Sequence, residues 1–325
     1  MKPKLFTTQE GIIPAAKGRI LRSAQTGMEV LSPIADKISD TFSDVQERLP
    51  RIIKGDTPTL GVALSGGSAR GFAYAGIFRF LEEHNALPSV IAATSAGSLF
   101  ASLYLDGYSP DEFLQLFRGK DFRSFASFQI PRYGLFGTDN FRSFLSQHLH
   151  HKRLEDLPIP LYIAATELDS GQCRVFSKGP LARIVQASCS IPVLFNPVNI
   201  DNHLYVDGGI FKNLPASAIR NRCDYLLGVH LALDVARLPW RRNIVGVAER
   251  CFDAIFYANS ERDTILCDAV IEAPELAAFG SFDTESARCM ADIGYYLARK
   301  LYNENKTFAK IIDKISAANK EKGTK

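Results

Sequence analysis

The segment from Thr59 to Asp106 restricts the fold of this chain more than any other. An apolar run, TLGVALS, ends in a glycine turn and passes into a helix reaching about Asn85; a second run, SVIAAT, ends in a sharp turn and a helix closing at Asp106. Buried strands that alternate with helices specify a largely parallel sheet with helices on both faces. Further strands are expected at PLYIAAT, CRVFS, HLYVDGG and YLLGVHLAL, with a helix near Pro180 to Ser188. Asn85 to Leu105 carries no charge over 21 positions, long enough to cross a bilayer. Pro88, five Ser or Thr side chains and Gly97 within it fit a strand, turn and helix instead.

Three parts are expected: a helical extension over 1–56, an α/β domain over 57–283, and a helix with a basic tail over 284–325. In the first, Ser32 and Pro33 open a helix whose apolar residues Ile34, Ile38, Phe42, Val45 and Leu49 recur at intervals of three and four. Its polar face mixes acids with Lys37 and Arg48, so packing on the main domain is expected rather than a lysine-rich membrane helix. Residues 111–157 read as helix and loop that cap the site. From Arg299 onward eight Lys or Arg face three acids, read here as a solvated, frayed end, with contact to an anionic membrane surface the other reading.

A formal charge of +3, with no basic run interleaved with aromatics, argues against nucleic acid as a partner. Six cysteines lie scattered without a C-x-x-C pair, mostly beside apolar neighbours, as reduced buried thiols would. Such thiols fit a reducing cytoplasm best; the N-terminus has no apolar stretch of secretory-signal type, and export by a route without such a signal stays open.

Three short motifs carry chemistry. In SGGSARG, Ser65 to Gly71, the glycines let backbone N–H groups point at one spot beside a helix N-terminus, as anion or oxyanion binding requires. Arg70 would add charge or tie the loop down. Alone, the loop fits equally well a tight turn that holds nothing; it lacks the Lys of a Walker loop and the second glycine of G-x-G-x-x-G. In ATSAG, Ala93 to Gly97, small residues two before and two after Ser95 suit a nucleophile elbow, with Ala93 where the pattern has glycine. In VDGG, Val206 to Gly209, apolar residues lead Asp207 to the end of a buried strand, and Gly208 and Gly209 permit a turn closed to other residues.

Taken together, GVALSGGSARG, ATSAG, ASCSIPVLFNPV and YVDGGIFKNLP resemble the patatin-like phospholipases in order, spacing and the elements that bear them. The similarity runs from about Leu60 to Leu214 and resumes weakly at GSFDTESARCMADIGYYLA. It implies a three-layer α/β/α sandwich and a serine hydrolase acting on acyl lipids. It also implies a dyad of Ser95 as nucleophile and Asp207 as base, without histidine. The oxyanion hole falls on Gly66, Gly67 and Ser68, with Arg70 at the family's basic position, and Thr94 and Ala96 flank the nucleophile in the elbow. No metal or cofactor is implied. Of the histidines, His203 is expected in a surface turn, His230 packed in a strand, and His148, His150 and His151 at a solvated helix end. Oligomeric state is not legible.

Overall fold

The computed structural model describes residues 57–323, apart from 121–124, 126, 129–133, 239 and 241. The helix expected within residues 1–56 lies outside the described residues.

The first half of the domain contains β1 (Leu60–Leu64), α1 (Ala73–Glu83), β2 (Val90–Thr94), α2 (Ala96–Leu105), α3 (Pro110–Phe117), β3 (Ser127–Phe128), β4 (Gly134–Gly137) and α4 (Asp139–His148). Next come β5 (Leu161–Glu167), β6 (Gln172–Phe176), α5 (Leu181–Ser188), β7 (Val193–Phe195), β8 (Val198–Ile200), β9 (His203–Asp207) and α6 (Gly209–Lys212). The chain continues through β10 (Tyr225–His230), α7 (Ile244–Thr264), β11 (Ala269–Glu272), α8 (Ala287–Glu304) and α9 (Lys306–Gly323).

The main sheet runs β11-β10-β1-β2-β5-β9-β8, with β6 paired to β5. The strands from β11 to β5 are parallel, while β6, β9 and β8 add antiparallel pairs at one side. β1 and β2 are buried along their whole length, which explains their unbroken apolar sequence. On one face α1 buries Tyr74, Ile77, Phe78, Phe80 and Leu81 completely. The phenyl ring of Phe80 stacks on Phe308 of α9 at 6.4 Å.

Register brings the functional ends together. β2 and β6 both pair with β5 at Ile163 and Ala164, so they lie on opposite edges of it. β6 and β9 both pair with β5 from Ala165 to Glu167, so they too lie on opposite edges. β2 and β9 therefore share one edge of β5 and run toward each other along it. They stop one register step apart, Thr94 opposite Ala164 and Asp207 opposite Ala165.

Several elements depart from the sequence reading. Residues 111–157 include β3 and β4, which form a small second sheet with β7. The C-terminal segment is not a frayed end: α9 continues to Gly323 and buries Phe308, Ile311, Ile312 and Ile315, and Asn319 Nδ2 donates to the Asn85 carbonyl at 2.8 Å. The lysines of this segment ride on a helix whose other face is in the core. All six cysteines are free, but only Cys267 is fully buried, and Cys251 and Cys289 are exposed. Among the described residues no helix is long and apolar enough to cross a membrane.

Candidate active site

Ser95 sits between the end of β2 and the first turn of α2 with φ 51° and ψ −124°. That backbone is strained for any residue with a Cβ, and it persists because neighbours over-determine it. The Ser95 amide donates to Ser188 Oγ at 2.8 Å, and Ser188 Oγ in turn donates to the Ala164 carbonyl of β5 at 2.7 Å. The Ser95 carbonyl accepts from the Ser98 amide at 2.8 Å and from Ser98 Oγ at 2.7 Å. Thr94 Oγ1 donates to the Lys212 carbonyl at 2.8 Å and fixes the end of β2 to α6.

Gly97 is required by close approach, since a Cβ there would lie 2.8 Å from the Leu64 and Ser65 carbonyl oxygens at the end of β1. Ala93 is a regular strand residue paired with Leu64 and Ile163, and its buried methyl is accommodated without positive φ. Ala96 starts α2 and lines the cavity described below.

Asp207 closes β9 and is completely buried. Its Oδ1 accepts from the Gly209 amide at 2.8 Å, its amide donates to Ser190 at 2.9 Å, and its carbonyl accepts from Thr166 Oγ1 at 2.9 Å. Oδ2 is buried and has no formed hydrogen bond. The Ser95 side chain is nonetheless close enough to favour the charged carboxylate. The contact is thus a near approach rather than an aligned bond. Burial pushes the Asp207 carboxyl up to about 7, against the opposing pull of the Ser95 hydroxyl and the Gly209 amide.

Gly208 is needed for a different reason from the turn expected of it. Its φ of −69° and ψ of −19° suit any residue, but a Cβ would lie 2.4 Å from the Ala164 carbonyl oxygen.

The glycine loop lies against this pair: a Cβ on Gly66 would come within 3.1 Å of Ser95 Cβ. The Gly66 amide is spoken for, donating to the carbonyl of Asn213 at 3.2 Å and to its Oδ1 at 3.1 Å. The amides of Gly67 and Ser68 donate to no group among the described residues, and Ser68 has φ 53°. Arg70 is buried and points away from an anion role, toward Asp253 of α7, with Nη2 3.3 Å from Oδ1. Of the two roles open to it, the geometry favours tying the loop down. Burial lowers its pKa, and Asp253 opposes that shift.

Ser95 and Ser68 open onto a cavity of about 120 Å³ whose wall is largely aromatic, from Phe72, Phe113, Phe117, Phe125, Phe141 and Phe195. Phe117 packs at 5.2 Å from Phe113 and 5.9 Å from Phe125, so the wall is a continuous ring cluster. Such a slot takes a hydrocarbon chain and offers little to a charged group.

Residues 62–219 match the family model for Patatin-like phospholipase. The chain carries a patatin-like phospholipase domain. It is 31% identical over 210 residues to Patatin-like phospholipase domain-containing protein 7 of Rattus norvegicus, covering 62% of this chain and 15% of that protein. It is 30% identical over 203 residues to Patatin-like phospholipase domain-containing protein 6 of Homo sapiens, covering 59% of this chain and 14% of that one. The chain therefore spans about 15% of the length of such relatives. Among solved structures, VipD from Legionella pneumophila shares the fold at a TM-score of 0.51 and 16% identity, covering 75% of this chain and 66% of that one.

Within the patatin-like domain, Gly66 lies against Ser95, Ser68 shares the cavity with it, and Arg70 ties the loop to Asp253. No histidine lines the cavity. His203 opens β9, half exposed, 3.0 Å from Glu167. With Asp169 these two bring three possible metal-ligand atoms within 4.8 Å of one another, on the surface, where the contact between His203 and Glu167 already accounts for the arrangement. His230 is buried at the end of β10 and burial lowers its pKa to about 4, so it stays neutral. His150 and His151 are not merely solvated: their backbone amides and Nδ1 atoms meet both oxygens of buried Asp106 at 2.7 to 2.8 Å, closing the C-terminus of α2. Sequence reading missed Ser188, Asn213 and Asp253, which act through tertiary contacts. It also missed the phenylalanines of the cavity, of which Phe113, Phe117, Phe125 and Phe141 leave a local signal in their density between Phe113 and Phe144, while Phe72 and Phe195 leave none.

Proposed function

We propose that this chain is a serine acyl hydrolase that cleaves carboxylic esters of phospholipids or other acyl lipids through a Ser95–Asp207 dyad. The observation carrying this reading is the head-on meeting of β2 and β9, which sets a strained Ser95 beside a buried carboxyl poised near neutrality, at the mouth of an apolar slot.

The acyl chain lies in the aromatic cavity and the ester carbonyl at Ser95. Ser95 Oγ attacks the carbonyl carbon as its proton passes to Asp207 Oδ2, which has no other partner to lose. Negative charge gathering on the carbonyl oxygen is met by the amides of Gly67 and Ser68, held in place by Gly66 on Asn213 and Arg70 on Asp253. Collapse expels the alcohol, which takes the proton back from Asp207 and leaves an acyl group on Ser95. A water then gives its proton to Asp207 and its oxygen to the acyl carbon, and as the acid leaves, Asp207 passes that proton to Ser95 Oγ, which restores both residues.

Proton uptake by Asp207 fixes the pH dependence. Only the ionised carboxylate can accept, so kcat/KM for a neutral ester is expected to rise with pH through about 7 and level off above it. A profile already flat from pH 5 upward would remove Asp207 from the base role.

The reaction class is tested by incubating the full chain with a panel of phospholipids, lysophospholipids and neutral glycerides, with products resolved by mass spectrometry. Free fatty acid is the expected product, and EDTA should not reduce it. Acyl transfer to an added alcohol in preference to water would make the chain a transferase using the same dyad. No acyl product from any lipid or from a short-chain chromogenic ester would make it a lipid-binding protein of this fold.

A further inference from the structure

Beside the cavity at Ser95 lies a second one, of about 300 Å³, with a largely polar lining. The two adjoin at Thr138, which lines both; Phe141 and Phe195 line the first, and the residues that follow them, Arg142 and Asn196, line the second. Three elements bound the polar cavity: the start of α4, α5 through Arg183 and Gln186, and β8 through Asn199. None of the residues given a role in ester cleavage lines it.

Its lining is rich in donors that nothing else uses. Arg183 Nε donates to the Asn199 carbonyl at 2.7 Å, which fixes the plane of the guanidinium and leaves Nη1 and Nη2 without a partner among the described residues. Arg142 is held loosely, its Nη2 3.5 Å from Asp139 Oδ1. Both arginines are half-buried. Gln186 Nε2 donates to the carbonyl and to Oγ1 of Thr138, at 3.1 and 2.9 Å, so the Thr138 hydroxyl keeps its own proton for a further acceptor. The charged lining residues are two arginines against one aspartate, Asp139, so the cavity is net positive. A hydrocarbon would strand these donors, and a cation would meet two guanidinium groups. The two forks come from different helices, so an anion with three or more oxygens can engage both where a carboxylate would satisfy one. The volume leaves room for a polar group esterified to that anion.

We propose that this cavity binds a phosphate group, with Arg142 and Arg183 as its cationic partners and Thr138 as a hydroxyl donor. The chemistry is the same for a free phosphate ester and for the phosphoryl head group of a lipid whose acyl chain lies in the cavity at Ser95. The second source rests on the acyl-lipid reading above; the binding itself does not.

Inorganic phosphate and glycerol 3-phosphate are titrated into the full chain by calorimetry. Saturable binding is expected, weakening as salt is added. Arg142→Gln and Arg183→Gln should each weaken it about tenfold, the weight of a charge-assisted hydrogen bond at a half-buried site. Asp139→Asn should tighten it about fivefold, the effect of removing one like charge at about 4 Å in water, and a misfolded chain would not bind more tightly. Lys300→Gln on α8, an exposed lysine outside the cavity, should leave it unchanged. No binding of either probe at millimolar concentration, binding indifferent to both arginines, or an Asp139→Asn variant that binds no more tightly overturns the proposal. The source of the phosphate is read from phosphatidic acid and diacylglycerol with the same acyl chains, in micelles of a neutral detergent. If the phosphate belongs to the substrate, Arg183→Gln lowers kcat/KM for phosphatidic acid relative to diacylglycerol about tenfold, and glycerol 3-phosphate competes with phosphatidic acid. With binding found, an unchanged ratio assigns the site to a free phosphate ester. Phosphate binding without cleavage of any lipid keeps this site and removes the hydrolase reading; cleavage without phosphate binding does the reverse.

Discussion

Asparagine at position 207 is expected to remove ester turnover and to stabilise the folded chain. Turnover should fall by about 10²- to 10⁴-fold, the range for losing a general base, because the amide has no site for the Ser95 proton. The stability gain follows from burial. The folded carboxyl titrates near 7, whereas an aspartate in an unfolded chain titrates near its ordinary value of about 3.9. The folded state therefore binds the proton more tightly, and stability from this group is complete below about pH 4 and is lost as pH rises through about 7. Above that, the folded chain carries a buried negative charge with one formed hydrogen bond, at a penalty of up to about 4 kcal/mol. Asparagine keeps an acceptor for the Gly209 amide and carries no charge. Its Tm should exceed that of the wild type at pH 8, and the difference should shrink toward zero near pH 4. A variant less stable than the wild type at pH 8, or one retaining full turnover, would contradict the role given to this carboxylate.

The local part of this site was open to sequence reading because its signals are local. An apolar run, a glycine turn and a helix, repeated twice, place Ser65 to Gly71 and Ala93 to Gly97 at strand ends whatever the rest of the chain does. The partners that hold these turns rigid are remote: Asp253 is 183 positions from Arg70, and Ser188 is 93 from Ser95. Nothing in the composition around a lone serine or aspartate distinguishes it from any other.

Helix α7 escaped for a different reason. Apolar residues on both its buried face (Phe252, Phe256) and its outer face (Ile244, Val247, Ile255) blur the period that marks an amphipathic helix. β7 and β8 are three residues each, too short for alternation to register. The break between α8 and α9 did leave a signal. Asn305 is extended and its Oδ1 accepts from the Phe308 amide at 2.9 Å, an N-cap readable from an asparagine ahead of an apolar run.

Replacing Ser95 separates two things the wild-type residue combines, a nucleophile and a strained backbone. Ser95→Ala should lower ester turnover by about 10⁶-fold, to the background, as loss of a nucleophile does elsewhere. It should also abolish labelling by a fluorophosphonate, which is expected to add once per chain at Ser95 and more slowly in the Asp207→Asn variant. Stability should change little, because alanine keeps a Cβ at φ 51° and ψ −124°. Ser95→Gly removes the same hydroxyl and also relieves that conformation, which glycine adopts freely. It should therefore be more stable than Ser95→Ala by about 1–3 kcal/mol, less the extra entropy that glycine loses on folding. The comparison leaves the hydroxyl out of account, since neither variant has one, and so measures the strain held in the elbow. Equal melting temperatures for the two variants would mean that the turn stores nothing, and that Ser188 and Ser98 merely hold a conformation the chain already prefers. A fluorophosphonate adduct found on another serine, with Ser95→Ala still active, would move the nucleophile elsewhere whatever the elbow stores.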